Sequence, residues 1–76
     1  TSGKGGDLIR RLLEGGPPVE VVRLAHRLSP DPAAAEELLQ ETCLIGLEKG
    51  HQLRREDPKS AVGWLCRVLR NQFHHR

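Results

Sequence analysis

Apolar side chains recur every three or four residues through most of this 76-residue chain, and glycine and proline interrupt the pattern. Such spacing places apolar side chains along one side of a helix, and no stretch alternates as a β-strand would. The interruptions divide the chain into four predicted helices. These helices span residues 7–14, 17–28 and 32–49, and from residue 58 or 60 to the end. We therefore predict an all-α fold, a compact three- to four-helix bundle.

Residue types suited to helix ends mark these boundaries. Asp7 is a suitable N-cap for the first helix, and Gly15 follows its last residue. Asp31 before Pro32 combines an N-cap with a proline at the first helical position. Gly50 supplies a C-terminal stop for the third helix. The pattern thus predicts where helices begin and end as well as that they form.

A chain of 76 residues has room for one domain. We predict a flexible N-terminal tail over residues 1–6 and one helical domain over residues 7–76. The last helix has no stop signal before Arg76, which indicates a fragment of a longer protein. No apolar run approaches the ~20 residues that span a bilayer, and no signal segment opens the chain. We expect a cytoplasmic protein whose two cysteines are reduced.

The net charge of +2 conceals an uneven distribution along the chain. Residues 1–48 hold five Lys/Arg and eight Asp/Glu, whereas residues 49–76 hold seven Lys/Arg and two Asp/Glu. An acidic part followed by a basic part suggests two surfaces with different partners. Charge alone leaves open whether the basic part binds nucleic acid or only keeps its helix hydrated.

The last predicted helix has an apolar face and a basic face, because residues three and four apart share one side. Its apolar face contains Val62, Leu65, Cys66, Leu69 and Phe73, widened by Trp64 and Val68. Its opposite face contains Gly63, Arg67, Arg70, Asn71 and His74. Guanidinium groups bind phosphate oxygens, and an asparagine amide matches a base edge. The preceding loop adds further positive charge through Arg54, Arg55 and Lys59.

The sequence contains no pattern typical of a metal site or of an enzyme active site. The four histidines follow no metal-ligand spacing, and Cys43 and Cys66 lack the close spacing of zinc sites. No nucleophile paired with a base can be discerned. We predict no enzyme activity, no metal and no cofactor.

Two segments together resemble a known family. Residues 35–42 read Ala-Glu-Glu-Leu-Leu-Gln-Glu-Thr, and residues 64–71 read Trp-Leu-Cys-Arg-Val-Leu-Arg-Asn. In this order, and with a loop between them, they resemble region 2 of the extracytoplasmic-function (ECF) sigma factors, a branch of the sigma-70 family. The resemblance extends over roughly residues 19–76, and it implies a sigma factor region 2-like bundle.

The resemblance also implies two binding surfaces. The acidic helix would dock on the clamp helices of the largest subunit of core RNA polymerase, through Glu37, Leu38, Gln40 and Glu41. The loop and last helix would bind the non-template single strand of the promoter −10 element and capture one flipped base. The matching DNA-binding positions are Leu53, Arg54, Arg55, Arg67, Arg70, Asn71 and His74. An anti-sigma factor and a C-terminal helix-turn-helix domain are further family expectations.

The chain departs from the family where aromatic residues are usual. Cys43, Leu47 and Leu53 stand at such positions, which leaves little capacity for base stacking. We therefore expect weak DNA binding by the isolated domain. An alternative function follows: a sigma-like interaction domain that binds an anti-sigma factor or other regulator without opening promoters. The third possibility, kept as a control, is a plain helical bundle that belongs to no recognisable family.

Overall fold

A computed structural model describes residues 4–53 and 57–75, which form four α-helices and one short 3₁₀ turn. The elements are α1 (Lys4–Glu14), α2 (Val19–Leu28), α3 (Pro32–Lys49), the 3₁₀ turn (Gly50–Gln52) and α4 (Pro58–His74). No strand occurs among the described residues. Helices α3 and α4 pack against each other, and α1 and α2 each contact both of them. The predicted all-α bundle is confirmed.

Helix α1 begins earlier than the sequence predicts, at Lys4. Asp7 lies in its first turn and is not its N-cap. Both the N-cap and the first turn favour a carboxylate, because both lie near the positive end of the helix dipole. Residue type alone therefore does not distinguish the two positions. Asp7 also accepts a 3.3 Å hydrogen bond from exposed Arg10. Residues 4–6, which the sequence assigned to a flexible tail, are helical, and residues 1–3 lie outside the described part.

The turn into α2 depends on a glycine and a proline. Gly16 has φ +98°, a conformation that few other residues adopt readily, and its N–H donates to the Leu13 carbonyl at 3.1 Å. Pro18 is extended at ψ 145° and its carbonyl accepts from the N–H groups of Val21 and Val22. Helix α2 therefore starts after the two prolines, not at the first of them as predicted.

Helices α3 and α4 both begin with an aspartate followed by a proline, as the sequence predicts for α3. Asp31 and Asp57 occupy the N-cap positions, and each is followed by a proline in the first turn. The Asp57 carboxylate accepts a 3.2 Å hydrogen bond from the Ser60 N–H. Helix α3 ends at Lys49 with Gly50 as its C-cap, as predicted, and Gly50 is right-handed, with φ −57° and ψ −25°, where the chain continues into the 3₁₀ turn.

The core is aliphatic, and every helix contributes to it. The fully or nearly fully buried apolar residues are Ile9, Val21, Ala25, Ala35, Leu38, Leu39, Ala61, Leu65 and Leu69. Buried Thr42 satisfies its hydroxyl by donating to the Leu38 carbonyl one turn earlier, at 2.8 Å. The predicted apolar face of α4 is confirmed, with Leu65 and Leu69 buried and Phe73 packed beside them.

Gly46 lies buried where α1, α3 and α4 meet. A Cβ atom at this position would lie 2.9 Å from Leu65 Cδ2 and 3.3 Å from Ile9 Cγ2. Glycine inside a helix costs about 0.5–1 kcal/mol relative to alanine. Glycine is favoured here because a Cβ atom would press on the Leu65 and Ile9 side chains.

Candidate functional site

An open groove of about 920 Å³ runs along the outward side of α4. We call it the α4 groove, and its lining residues are Leu53, Ser60, Gly63, Trp64, Cys66, Arg67, Arg70, Asn71 and His74. The two arginines, the asparagine and His74 are exposed. No carboxylate is among the described residues that line it. The groove is therefore suited to an anionic ligand that also offers hydrogen-bonding edges.

The α4 groove brings together most of the predicted DNA-binding residues. Leu53, Arg67, Arg70, Asn71 and His74 all line it, as a 3.6-residue period requires for the four residues on the helix. Leu53 reaches it from the segment after the 3₁₀ turn. Arg54 and Arg55, also predicted for DNA, lie outside the described residues.

Two aromatic side chains border the basic residues. Trp64 is half-buried, packs against the core and also lines the α4 groove, so it both supports the bundle and forms part of the groove wall. With Arg67 and Asn71 it borders a second, smaller cleft that opens towards Lys49 at the end of α3 and Gln52 in the 3₁₀ turn. The Phe73 and His74 rings meet edge to face, with centroids 5.7 Å apart. The sequence assigned Trp64 to the core and missed its place in the groove wall.

The residues predicted to bind polymerase divide into two groups. Glu37 and Gln40 are exposed on α3, and Glu41 is half-buried and accepts a 3.2 Å hydrogen bond from Gln72 Nε2 on α4. Leu38, also predicted to contact polymerase, is fully buried in the core and presents no side-chain surface to a partner. One residue along a helix turns the side chain by about 100°, which carries position 38 from the outward side to the inward side.

The outward side of α3 continues beyond the acidic residues as an apolar surface. Leu44 is 65% exposed and Leu47 is 49% exposed, high values for large aliphatic side chains. With Leu39, Cys43 and Pro17 they line a shallow apolar groove next to Gln40. We define the α3 face as Glu37, Gln40, Glu41, Leu44 and Leu47. The sequence contained a signal for this extension, because positions 37, 40, 44 and 47 follow a helical period.

Two free, half-buried thiols lie at these surfaces, Cys43 beside the α3 face and Cys66 in the α4 groove. Burial raises the pKa of Cys43, which lies beside the exposed leucines of α3. Burial also raises the pKa of Cys66 in the α4 groove, with the positive charge of Arg70 opposing and the negative charge of Glu20 reinforcing that effect. Glu20 lies on α2 and Arg70 on α4, so charged groups from both helices act on the Cys66 thiol.

The described part of the chain lacks the features of a metal site and of a membrane span. It contains no group of three or more His, Cys, Asp or Glu residues that could hold a metal ion. None of its helices combines the length and the apolar character needed to cross a membrane.

Comparison with known protein families supplies the identity that the geometry suggests. The model of the family described as Sigma-70 region 2 matches residues 19–76, which include α2, α3 and α4. No curated protein and no solved structure gives a significant match. Membership in this family implies RNA polymerase binding and promoter −10 recognition in general, and the family is one of transcription factor domains and not a known enzyme family. Because the match covers well over half of its length, the chain belongs to the sigma-70 region 2 family.

Proposed function

We propose that this domain is region 2 of an ECF sigma factor that captures the non-template strand of the −10 element in the α4 groove. In this proposal the α3 face docks on the clamp helices of the largest polymerase subunit. The observation that carries the proposal is the arrangement of Arg67, Arg70, Asn71 and His74 along one open groove. The ECF assignment is supported by the paired segments at 35–42 and 64–71.

The groove offers two kinds of contact to a single strand. The guanidinium groups of Arg67 and Arg70 bind backbone phosphates whatever the sequence. The amide of Asn71 donates and accepts, so it selects among base edges. Trp64 adds an aromatic side chain in the groove wall on which a base can stack, a contact worth about 1–3 kcal/mol elsewhere. These contacts would offset the few kcal/mol that flipping a base costs.

The first experiment measures DNA binding by the whole chain. Fluorescence anisotropy with a randomised single-stranded pool, followed by individual strands and matched duplexes, gives affinity and sequence preference. We expect single strands to bind more tightly than duplexes, with affinity falling steeply as salt rises. Arg11→Gln is the matched control, because Arg11 is an exposed arginine of α1 that lines none of the clefts described above. Absence of any sequence preference at low salt would contradict the proposal.

The exposed apolar part of the α3 face favours one alternative. Leu44 and Leu47 lie beside Cys43 in a groove that an amphipathic partner helix can cover. An anti-sigma factor or other regulator would use this surface if the domain bound proteins without opening promoters. Binding of an isolated clamp-helix fragment separates the two functions: polymerase docking requires it, and a domain that binds only a regulator lacks it.

A further inference from the structure

A second basic cleft adjoins the α4 groove. It lies between α2 and α4, and its lining residues are Glu20, Arg23, Leu24, Arg27, Cys66 and Arg70. Arg70 and Cys66 line both this cleft and the α4 groove, so the two adjoin at these residues. The combined effect of Arg70 and Glu20 on the Cys66 thiol fits this arrangement, since one charge comes from each helix.

The cleft has the charge of a phosphate-binding surface. Its lining contains three arginines and one carboxylate, that of Glu20, and Arg23 and Arg27 are exposed. Neither guanidinium is held in an ion pair within the part of the chain that the structure describes. Arg23 and Arg27 are four residues apart, which places them on the same side of α2 and about 6 Å apart along its axis. An extended polyanion can therefore meet both.

We propose that Arg23 and Arg27 extend the DNA path from the α4 groove onto α2, where they bind backbone phosphates without reading sequence. The inference rests on the proposed function, because it assumes that a single strand lies in the α4 groove. Arg70, at the junction, contacts the strand as it passes from one cleft to the other. Glu20 limits the affinity of the extension, since its carboxylate repels the same phosphates.

The test compares the whole chain with the double variant Arg23→Gln/Arg27→Gln. Affinity is measured by anisotropy between 50 and 200 mM salt for a strand selected by the unmodified domain and for the same strand lengthened with thymidines. Each neutralised phosphate contributes about 0.7 to the slope of log affinity against log salt for single strands. We expect the double variant to lower that slope by about 1.4 on the long strand. Base preference should be retained, because phosphate contacts carry no sequence information.

Matched variants separate charge from other effects. Arg23→Lys/Arg27→Lys keeps both charges and should retain most of the slope, Arg11→Gln should leave it unchanged, and Glu20→Gln should raise affinity for the long strand. Circular dichroism melting checks that each variant is folded. An unchanged slope in the glutamine double variant, with the unmodified domain still binding single strands, would overturn the extension alone. Failure of the unmodified domain to bind any single strand would overturn the proposed function and the extension with it.

Discussion

The sides of α3 and α4 that face the core are alike in residue type, whereas their outward sides differ in charge. Both helices begin at an aspartate–proline pair, both run for 17 or 18 residues, and their inward sides pack together as leucine and alanine. Outwards, α3 presents carboxylates and exposed leucines, whereas α4 presents arginines and amides. Inward residues therefore hold the bundle together, and outward residues are the ones available to partners.

The two outward sides also differ in how much apolar surface they expose. Leu44 and Leu47 of α3 are about half or more exposed, whereas Trp64 and Cys66 of α4 are half-buried among basic groups. Exposed apolar surface contributes to binding mainly through burial against another protein. Arginines along an open groove favour a polyanion. This difference supports a protein partner for the α3 face and a nucleic-acid partner for the α4 groove.

The largest expected effect is on the free energy of unfolding, and it distinguishes the core-facing side of α3 from its outward side. Leu38→Ala should lower the free energy of unfolding by about 2–5 kcal/mol, because it removes buried methyl groups and leaves a cavity. Leu44→Ala should change it by no more than about 0.5 kcal/mol, since Leu44 is 65% exposed. Thermal or urea unfolding measures both. Equal losses would mean that position 44 is as deeply packed as position 38.

Asn71 and Arg70 of the α4 groove are expected to contribute differently to DNA binding. Asn71→Ala should reduce discrimination at one base position by about 1–3 kcal/mol, because a base-edge contact is lost. Arg70→Ala should weaken binding to all strands about equally, because its contact is to phosphate. Competition anisotropy with strands that differ at single positions measures both. If the two variants lose the same base preference, the division between phosphate and base contacts is wrong.

Charge reversal tests whether the two surfaces bind their partners separately. Glu37→Lys should weaken binding to a clamp-helix fragment about tenfold, roughly 1.4 kcal/mol, by placing a positive charge against basic polymerase helices. Its affinity for single-stranded DNA should not fall, because Glu37 lies on α3 and lines none of the basic clefts. Glu14→Lys, an exposed site at the end of α1, controls for net charge. A matching loss in that control would assign the effect to overall charge.

The smallest expected effect is a change in the alkylation rates of Cys43 and Cys66, which report on both surfaces in one experiment. The thiolate is the reactive form, and burial raises the pKa of Cys43 and Cys66, so both should react with iodoacetamide more slowly than free cysteine near pH 8. The rates should rise with pH as the thiols ionise. Bound single-stranded DNA should slow alkylation of Cys66 only, and a clamp-helix fragment should slow that of Cys43 only. Mass spectrometry distinguishes the sites, and protection of both by one ligand would contradict separate surfaces.

The sequence predicted those features that depend on local chemistry. The aspartate–proline start of α3 and the basic face of α4 follow from capping and from a 3.6-residue period. The period also placed Leu38 on the apolar side of its helix, where it is buried, whereas the family resemblance placed it among the polymerase contacts. A motif is a run of adjacent letters, but adjacent residues on a helix point in different directions.

Features that depend on how helices pack could not be predicted in the same way. Cys66 lies in a cleft between α2 and α4 only because α2 packs beside α4, and Trp64 shares the α4 groove with Leu53 only because the segment after the 3₁₀ turn comes close to α4. The role proposed for Arg23 and Arg27 depends on the contact between α2 and α4. No local pattern in residues 19–28 indicates which helix will be their neighbour.

Gly46 has a consequence for how far apart two partners would sit. Helices in contact have axes about 8–10 Å apart, and at the close end of that range only small residues fit between them. An alanine at position 46 would press on the Leu65 side chain of α4, so either that side chain shifts or the two helices move apart. If the helices moved apart, the α3 face and the α4 groove would be displaced relative to each other, and so would the polymerase and the DNA strand proposed to bind them. The lack of a side chain at Gly46 thus lets the two outward surfaces lie close together.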